Sequence, residues 1–324
     1  MSRLTRRAAL VVGAGAGVSL AAPSLAQSRT RLTIATGGTG GVFFPYGGGL
    51  ARILTEKMTN TQATAQVTGG SVDNVKLVNG GDADIGFSTL DSAYDAMKGE
   101  AAYKNDGVQD VRVLALLYDS YFHVIGSQGA GVNSIADFKG KRVSVGSAGS
   151  STESIADRAL AAAGLNPQRD VTRDNLGVAE SANALADGKI AGFFWIGGVP
   201  TAAVRDLAQG GRTPLKFVDT SKELAAMERQ WQGLYRSFEL PANSYNGQTA
   251  AIPGLGIANV LIVSGKAPAR LVTTVLETVF ANLADVHSIH PEARRLTLAG
   301  AAAKTAVPFH PAAEAFFKSK GVGG

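Results

Sequence analysis

The sequence contains no cysteine and only two tryptophans among its 324 residues. The absence of cysteine excludes disulfide bonds, thiolate metal sites, a cysteine nucleophile and a lipid-modified N-terminal cysteine. Charged residues make up only 18% of the chain and form no long run of one sign, whereas 45% of the residues are apolar. This composition is typical of a globular protein with one large or two medium domains. The 40 glycines predict many tight turns and close backbone approaches.

The first 26 residues are typical of an export signal. The basic segment MSRLTRR is followed by an uncharged, mostly apolar run over residues 8–22 and then by SLA, a small-x-small cleavage pattern. The run is shorter than the roughly 20 apolar residues that span a bilayer. We therefore predict a signal peptide over residues 1–26 that is cleaved near Ala26, and a periplasmic protein. The letters TRR followed by AAL resemble a twin-arginine signal, and an ordinary secretory signal is the alternative.

The positive charge of the chain belongs largely to this signal. Removing three of the 31 Lys and Arg residues leaves 28 against 26 acidic residues, a net charge of +2. No cluster of Lys and Arg with interleaved aromatic residues occurs in the remainder. We therefore expect no nucleic-acid partner.

Strand-like and helix-like segments alternate along most of the chain. RLTIAT precedes PYGGGLARILTEKM, ADIGFST precedes LDSAYDAMKGE, and KRVSVGS precedes STESIADRALAAAG. Such alternation predicts an α/β protein with largely parallel sheets. The C-terminal part is predicted to be mainly helical, with one helix that carries its apolar face at Val272, Val275, Leu276, Val279 and Leu283.

An internal echo predicts two lobes of similar plan. TGGTGGVFF and VSVGSAGSST each link a strand to a helix, and LVNGGDADIGFSTLDSAY has a counterpart in ALADGKIAGFFWIGGVPTA. The extended runs VRVLALLYDSYFHVIG and SYNGQTAAIPGLGIANVLIV are predicted to cross between the lobes. Lobe 1 then comprises residues 31–119 and about 250–324, and lobe 2 comprises residues 120–249. A ligand cleft is expected at the carboxyl ends of the strands.

The glycine-rich loop after the first strand does not match a nucleotide-binding loop. No Lys-Ser or Lys-Thr pair follows Gly37–Gly41, and Phe43 stands where a dinucleotide loop has its third glycine. The bare backbone nevertheless lets amides and the hydroxyls of Thr36 and Thr39 approach a ligand. Pro45 suits the first turn of the following helix, whose positive end would face the same ligand.

The second-half loop supplies hydroxyl groups at a predicted helix start. Four hydroxyls lie between Ser147 and Thr152, which is more than one N-cap requires and suits a carboxylate. Asp91 is most simply a helix N-cap and Ser88 is expected to face the cleft, whereas Trp195 fits either the core or a cleft wall. The full set of predicted ligand-binding residues is Thr36, Gly38, Thr39, Gly40, Phe43, Ser88, Asp91, Ser147, Ser150, Ser151, Thr152 and Trp195.

No residue pattern predicts an enzyme, a metal or a cofactor. His287 and His290 are three residues apart, but Pro291 follows and no third metal ligand stands nearby, so surface or capping roles are favoured. His123 has no acidic partner at a telling spacing. An exported hydrolase with Ser150 or Ser151 as nucleophile is an alternative that requires a His and an Asp partner.

Several segments together resemble a known family. IATGGTGGVFFPYGGGLARIL and NVKLVNGGDADIGFSTLDSAYDA resemble its opening segments, GVNSIADFKGKRVSVGSAGSSTE its central part, and WIGGVPTAAVRDLA and VPFHPAAEAFFKSKG its later parts. The family is that of the TAXI-type extracytoplasmic solute receptors of tripartite ATP-independent periplasmic (TRAP) transporters. The similarity runs in order over nearly the whole chain after the signal.

The resemblance implies a type II periplasmic-binding-protein fold with two α/β lobes, a hinge, a central ligand cleft and C-terminal helices. It implies no catalysis, a monomeric receptor, and delivery of the ligand to TRAP permease subunits that are driven by an ion gradient. Family ligands are small carboxylates such as glutamate, glutamine or 2-oxoglutarate. Ser88-Thr89-Leu90 and GSAGSST depart from the family pattern at the ligand loops, so glutamate specificity does not carry over. Arg112 and Arg236 are candidate carboxylate clamps, and a ligand sensor for a membrane kinase is an alternative role.

Overall fold

The computed structural model describes residues 29–211 and 213–323, and the predicted signal peptide over residues 1–26 lies outside the described residues. The strands are β1 (Thr30–Ala35), β2 (Thr61–Gln66), β3 (Ile85–Thr89), β4 (Val111–Ser127), β5 (Arg142–Ser144), β6 (Thr172–Asp174), β7 (Gly192–Gly197), β8 (Leu215–Phe217), β9 (Tyr235–Leu240) and β10 (Ile252–Ser264). The helices are α1 (Phe43–Lys57), α2 (Ser71–Gly80), α3 (Leu90–Lys98), α4 (Ser151–Ala162), α5 (Val178–Ala186), α6 (Ala202–Gly210), α7 (Ser221–Gln230), α8 (Ala269–Ala281), α9 (Leu283–Ile289), α10 (Leu298–Ala301) and α11 (Pro311–Ser319). Short 3-10 turns lie at Ala101–Tyr103, Gln128–Ala130, Ile135–Phe138 and Pro291–Arg295.

The strands form two parallel units of the same design. In the first unit β1 pairs in parallel with β2 and β3, and in the second unit β5 pairs in parallel with β6 and β7. The continuous strand order is β2-β1-β3-β10-β4-β7-β5-β6, with β8 beside β4 and β9 beside β10. The predicted α/β architecture is confirmed, and the echo in the sequence corresponds to the repeated order β1-α1-β2-α2-β3-α3 and β5-α4-β6-α5-β7-α6.

Two long antiparallel strands join these units. The first part of β4 pairs with β10, and its last part, from Tyr121 to Gly126, pairs with β7. Likewise the C-terminal part of β10 pairs with β3, whereas its N-terminal part pairs with β9. The first unit is thus linked to β10 through β3, the second unit is linked to β4 through β7, and the two long strands pair with each other, as expected for a hinge. On this basis we propose the lobe boundaries given above, with residues 31–119 and about 250–324 as lobe 1 and residues 120–249 as lobe 2.

The C-terminal helices cover the outer face of the first unit. Val272, Val275, Leu276 and Val279 are buried on α8, as their spacing predicts. Leu283, however, begins α9 instead of continuing the same helix. The break occurs at Asn282, whose amide donates to the carbonyl oxygen of Val279 and whose side chain donates to that of Thr278 at 2.8 Å, because an asparagine side chain competes for backbone groups at helix ends.

The two units share one apolar core on the face opposite to these helices. A single cluster of buried side chains includes Val72 and Val75 of α2, Phe138 and Val143 near β5, and Met227 of α7. Because this cluster contains residues from both units, the units are packed closely against each other. The loops at the carboxyl ends of their parallel strands consequently face a common space.

Candidate functional site

A cavity of ≈ 80 Å³ lies between the loops of the two units, which is several times the space that one water molecule needs. Nine of the twelve predicted ligand-binding residues line it: Gly38, Thr39, Gly40, Phe43, Ser147, Ser150, Ser151, Thr152 and Trp195. Residues that the sequence did not single out also line it, at Gly69–Ser71, Gly177–Glu180, Tyr118 and Ser120. The cavity is thus built by both units and by β4, which joins them.

Helix N-termini from both units begin at the cavity wall. In α1 the amides of Phe43 and Phe44 have no acceptor within the helix, and the third residue is Pro45, which carries no N–H. α5 begins after Gly177, and the amides of Val178 and the two residues after it likewise have no acceptor within the helix. The positive ends of these helix dipoles favour a negatively charged group in the cavity.

The start of α4 also presents free backbone amides to the cavity, and it adds hydroxyl groups. Ser150 is the N-cap residue, and its Oγ accepts a hydrogen bond from the amide of Glu153 at 3.4 Å. The amides of Ser151 and Thr152 remain without an intrahelical acceptor. Ser150 therefore serves as the N-cap of α4. The amides of Ser151 and Thr152 are available to a ligand.

Three buried hydroxyls of the cavity wall are arranged to donate. Ser120 Oγ accepts from Asn259 Nδ2 at 2.8 Å, Ser151 Oγ accepts from the hydroxyl of Ser71 at 3.2 Å, and Thr152 Oγ1 accepts from a β7 amide at 3.3 Å. Each oxygen thus already receives a protein donor, while its own O–H is free to donate. Such a set of donors suits a ligand group that is rich in acceptor oxygens.

Three of the predicted residues do not reach the cavity. Thr36 is fully buried, and its Oγ1 donates to the carbonyl oxygen of Gln66 at 2.5 Å. The hydroxyl of Ser88 donates to the carbonyl oxygen of Thr89 at 2.9 Å, because β3 is buried on both faces. Asp91 is the second residue of α3 rather than its N-cap, which is Thr89. These three predictions are corrected: Thr36 and Ser88 bond within the first unit, and Asp91 pairs with a residue of the other unit.

Asp91 instead belongs to a buried ion cluster that joins the two units. The guanidinium of Arg158 on α4 pairs with Asp91 at 3.3 Å and with Asp95, and it also donates to Tyr235 Oη at 2.6 Å. Tyr235 in turn donates to Asp91 at 2.8 Å, and the Trp231 ring lies 4.4 Å from the guanidinium carbon. Burial raises the pKa of Asp95 to about 6, although Arg158 acts in the opposite direction.

Neither candidate arginine clamp faces the cavity. Arg112 pairs with Asp110 at 2.6 Å, and Arg236 pairs with Asp119 at 2.6 Å. Among the cavity-lining residues in the part of the chain that the structure describes, none is Lys, Arg or His, and Glu180 is the one charged side chain. A negative ligand group would therefore be held by amides, hydroxyls and helix dipoles, without a salt bridge.

The histidines do not form a catalytic or metal site within the described residues. His123 is fully buried between the carbonyl oxygen of Tyr121 at 3.0 Å and Tyr245 Oη at 2.8 Å. The other three bond to backbone groups, namely His287 to Leu296, His290 to Glu292 and His310 to Ala267 and Ala312. Ser150 Oγ donates to the carbonyl oxygen of Ser147 rather than to a base, and no group of His, Asp and Glu in residues 29–211 and 213–323 could hold a metal.

The two units also touch across the rim of the cavity. The carbonyl oxygen of Gly149 accepts from the amides of Val72 and Asp73 at the start of α2, each at 3.1 Å. Gly149 has φ +76°, and a Cβ there would meet the Asp73 carboxylate, so only glycine fits. On the other side, a Cβ on Gly40 would lie 3.2 Å from side-chain atoms of Val178 and Ala179.

The cavity-lining residues that were not predicted from the sequence are of two kinds. Gly69–Ser71 and Gly177–Glu180 begin the second helix of each unit, and the pattern of small residues before an acidic first turn (Asp73 in α2, Glu180 in α5) was a usable signal. Tyr118 and Ser120 lie within a long apolar strand, where no local pattern distinguishes a cavity residue from a core residue.

This fold, with two parallel units joined by two long antiparallel strands and a cavity between them, is that of the two-lobed periplasmic binding proteins, as predicted. The sequence profile of the NMT1-like family matches residues 34–321, so the chain belongs to the NMT1-like family.

Three solved structures illustrate the similarity of fold. A periplasmic transporter protein has a TM-score of 0.55 and 12% identity, covering 91% of this chain and 93% of that chain. A binding protein of a phosphonate ABC transporter from Pseudomonas aeruginosa has a TM-score of 0.53 and 9% identity, covering 82% and 79%. A third, Tv2483 bound to L-arginine, has a TM-score of 0.51 and 12% identity, covering 83% and 90%. At these identities the similarity concerns the fold alone.

Within the described residues, none of the helices combines the length and the apolar character that crossing a membrane requires.

Proposed function

We propose that the protein is a periplasmic solute receptor that captures a small carboxylate by closing its two lobes over it. The observation that carries this proposal is the convergence of the N-termini of α1, α4 and α5, together with the O–H groups of Ser120, Ser151 and Thr152, on one cavity. Amides and hydroxyls that lack protein acceptors solvate an anion in place of water. The twelve residues predicted from the sequence are narrowed to the nine that line this cavity.

Capture follows from the difference in contacts between open and closed lobes. In the open state the loops of the two units hold separate halves of the ligand shell. Closure brings α1 to face α4 and α5, removes the carboxylate from water and strengthens each charge–dipole contact. A ligand shifts the protein towards the closed state by as much as it binds that state more tightly.

The receptor role is tested by a thermal-shift panel of small mono- and dicarboxylates and amino acids on the purified mature protein. A ligand at about 100 times its Kd adds about 2.7 kcal/mol of stability, which raises the Tm by several degrees. Ser151→Ala should lower the affinity for the ligand found. Ser154→Ala, on the same helix but outside the cavity lining, is the matched control. A panel in which no compound raises the Tm would reject the proposed ligand class.

Closure itself is tested at Gly40. A Gly40→Val side chain would collide with Val178 and Ala179 only when the lobes are closed, since these residues belong to the other unit. We expect ligand affinity to fall by about 10- to 100-fold, because overpacking costs on the order of 1–3 kcal/mol, with little change in the Tm without ligand. Gly129→Val, at a site with open space outside the cavity, should bind normally. Equal affinity of the two variants in calorimetric titration would show that Gly40 makes no closing contact.

The resemblance to TAXI-type receptors supports delivery of the ligand to a TRAP permease. The test is uptake into proteoliposomes that contain the candidate permease subunits, with an ion gradient and no ATP. Uptake that requires this receptor and the gradient supports the TRAP assignment, whereas uptake that requires ATP would assign it to an ABC transporter. Ligand-dependent activation of a membrane kinase in the same vesicles would support the sensor role instead.

A further inference from the structure

The cavity offers helix N-termini and hydroxyls to one anionic group of a ligand. It offers no cationic side chain to a second anionic group. Its described lining carries no Lys, Arg or His, and its one charged side chain, Glu180, is itself negative. Helix N-termini and hydroxyls can balance a single carboxylate. A second carboxylate in the same closed space would lose its hydration and would also lie near Glu180, so that it gains no compensating contact.

A second polar region lies on β4, where Tyr118 and Ser120 line the cavity. Tyr118 is 5% exposed, and its hydroxyl has no hydrogen-bond partner in the described residues. Burial raises the pKa of Tyr118 and the nearby Ser120 hydroxyl acts in the opposite direction, but the two hydroxyls do not meet in hydrogen-bond geometry. A buried hydroxyl without a partner is costly to the protein alone, and because Tyr118 also lines the cavity, a ligand atom is the partner that we infer.

The protonation state of Tyr118 decides what that partner is. Burial raises the pKa of Tyr118 well above its ordinary value, so the phenol stays protonated at neutral pH. Ser120 also has its O–H free, since its oxygen already accepts from Asn259. Both groups therefore present donors, and an acceptor oxygen of the ligand satisfies them.

We propose that the ligand is a monocarboxylate that carries a second, uncharged oxygen acceptor, such as an amide, keto or hydroxyl oxygen, which Tyr118 and Ser120 bind. This inference rests on the proposed receptor function. It narrows the ligand class, because dicarboxylates are disfavoured, and it makes Tyr118 a specificity-determining residue.

The first experiment compares ligands that differ by one charge at nearly equal size. Calorimetric titrations of the wild-type protein with succinamate against succinate, and with glutamine against glutamate, give the preference directly. We expect each monoamide to bind at least about 10-fold more tightly than its diacid, which corresponds to about 1.4 kcal/mol. Equal or tighter binding of the diacids overturns this inference while leaving the receptor function intact. Absence of binding by all four, together with a negative carboxylate panel, rejects the receptor function itself.

The second experiment removes the phenol hydroxyl alone. Tyr118→Phe should weaken binding of the preferred ligand by about 3- to 10-fold, the value of one neutral hydrogen bond, while the Tm without ligand is unchanged or higher. Tyr46→Phe is the matched control, since the Tyr46 hydroxyl is likewise buried without a partner but does not line the cavity. Its affinity should equal that of the wild type. Unchanged affinity of Tyr118→Phe, or an equal loss in both variants, overturns the assignment of Tyr118.

Discussion

Replacing Arg158 by methionine is expected to lower the free energy of unfolding by about 3–5 kcal/mol. Arg158 is 8% exposed and is the counter-ion of Asp91 and Asp95, which are 1% and 3% exposed. Methionine fills the space of the aliphatic stem but leaves two carboxylates facing each other in the interior. The pKa of Asp95, already raised to about 6 by burial, would rise further, because the loss of Arg158 removes the charge that opposes burial.

Urea unfolding at pH 7 measures this loss, and Arg173→Met is the matched control. Arg173 also pairs with two carboxylates, Glu153 and Asp157, but these are 31% and 30% exposed and remain partly hydrated without it. The control should therefore lose less than about 1 kcal/mol. Similar losses of unfolding free energy in the two variants would show that the stabilisation by the Arg158 cluster does not depend on its burial. Arg158→Lys should restore only part of the stability, since lysine lacks the planar fork that reaches Asp91, Asp95 and Tyr235 together.

The stability of the wild-type protein should also fall as the pH falls from about 6.5 to 4, because of His123. Burial lowers the pKa of His123 from 6.5 to about 4, although the carbonyl oxygens of Tyr121 and Trp195 act in the opposite direction. The unfolded chain therefore binds a proton in this pH range that the folded protein does not. The stability is fully present above about pH 6.5 and is lost progressively as the pH falls, and the loss reaches about 3 kcal/mol at pH 4.

A comparison of the wild type with His123→Gln isolates this effect from other titrating groups. Glutamine can still bond to Tyr245 but does not titrate. Unfolding free energies measured between pH 7.5 and 4 should decrease more steeply for the wild type, by about 3 kcal/mol over the range. Parallel pH profiles would mean that His123 is protonated in the folded protein as readily as in the unfolded chain.

The repeated strand–loop–helix pattern of the sequence was sufficient to predict the α/β class and the two similar units. The loops TGGTGGVFF and GSAGSST were placed at the cavity because their glycines and hydroxyls occur directly before helices, a local pattern with a local cause. Trp195, which fitted either the core or a cleft wall, is half-buried and lines the cavity, with its Nε1 donating to Thr201 at 2.9 Å.

The same local reasoning failed where a distant residue decides the role of a side chain. Asp91 has the spacing of an N-cap and the position of a cleft residue, yet Arg158, 67 positions later, directs it into a buried ion cluster. Arg112 and Arg236 were candidates because arginine commonly binds carboxylates, but Asp110 pairs with Arg112 and Asp119 pairs with Arg236. Tyr118 could not be found at all, because only the packing of β4 against other elements makes Tyr118 a cavity-lining residue and leaves its hydroxyl without a partner.

The sequence by itself determined what depends on near neighbours: the period of the strands and helices, the glycine and hydroxyl loops at helix starts, and the absence of cysteine chemistry. Only the tertiary structure decided which of these loops face one another, which charges are neutralised in the interior and which donors remain for a ligand. Hydrogen bonds and ion pairs form between atoms a few ångströms apart, and in this fold those atoms come from residues such as Asp91 and Arg158, or Ser120 and Asn259, that are far apart in the chain. The charge and hydrogen-bonding character of the cavity is therefore a property of the folded protein.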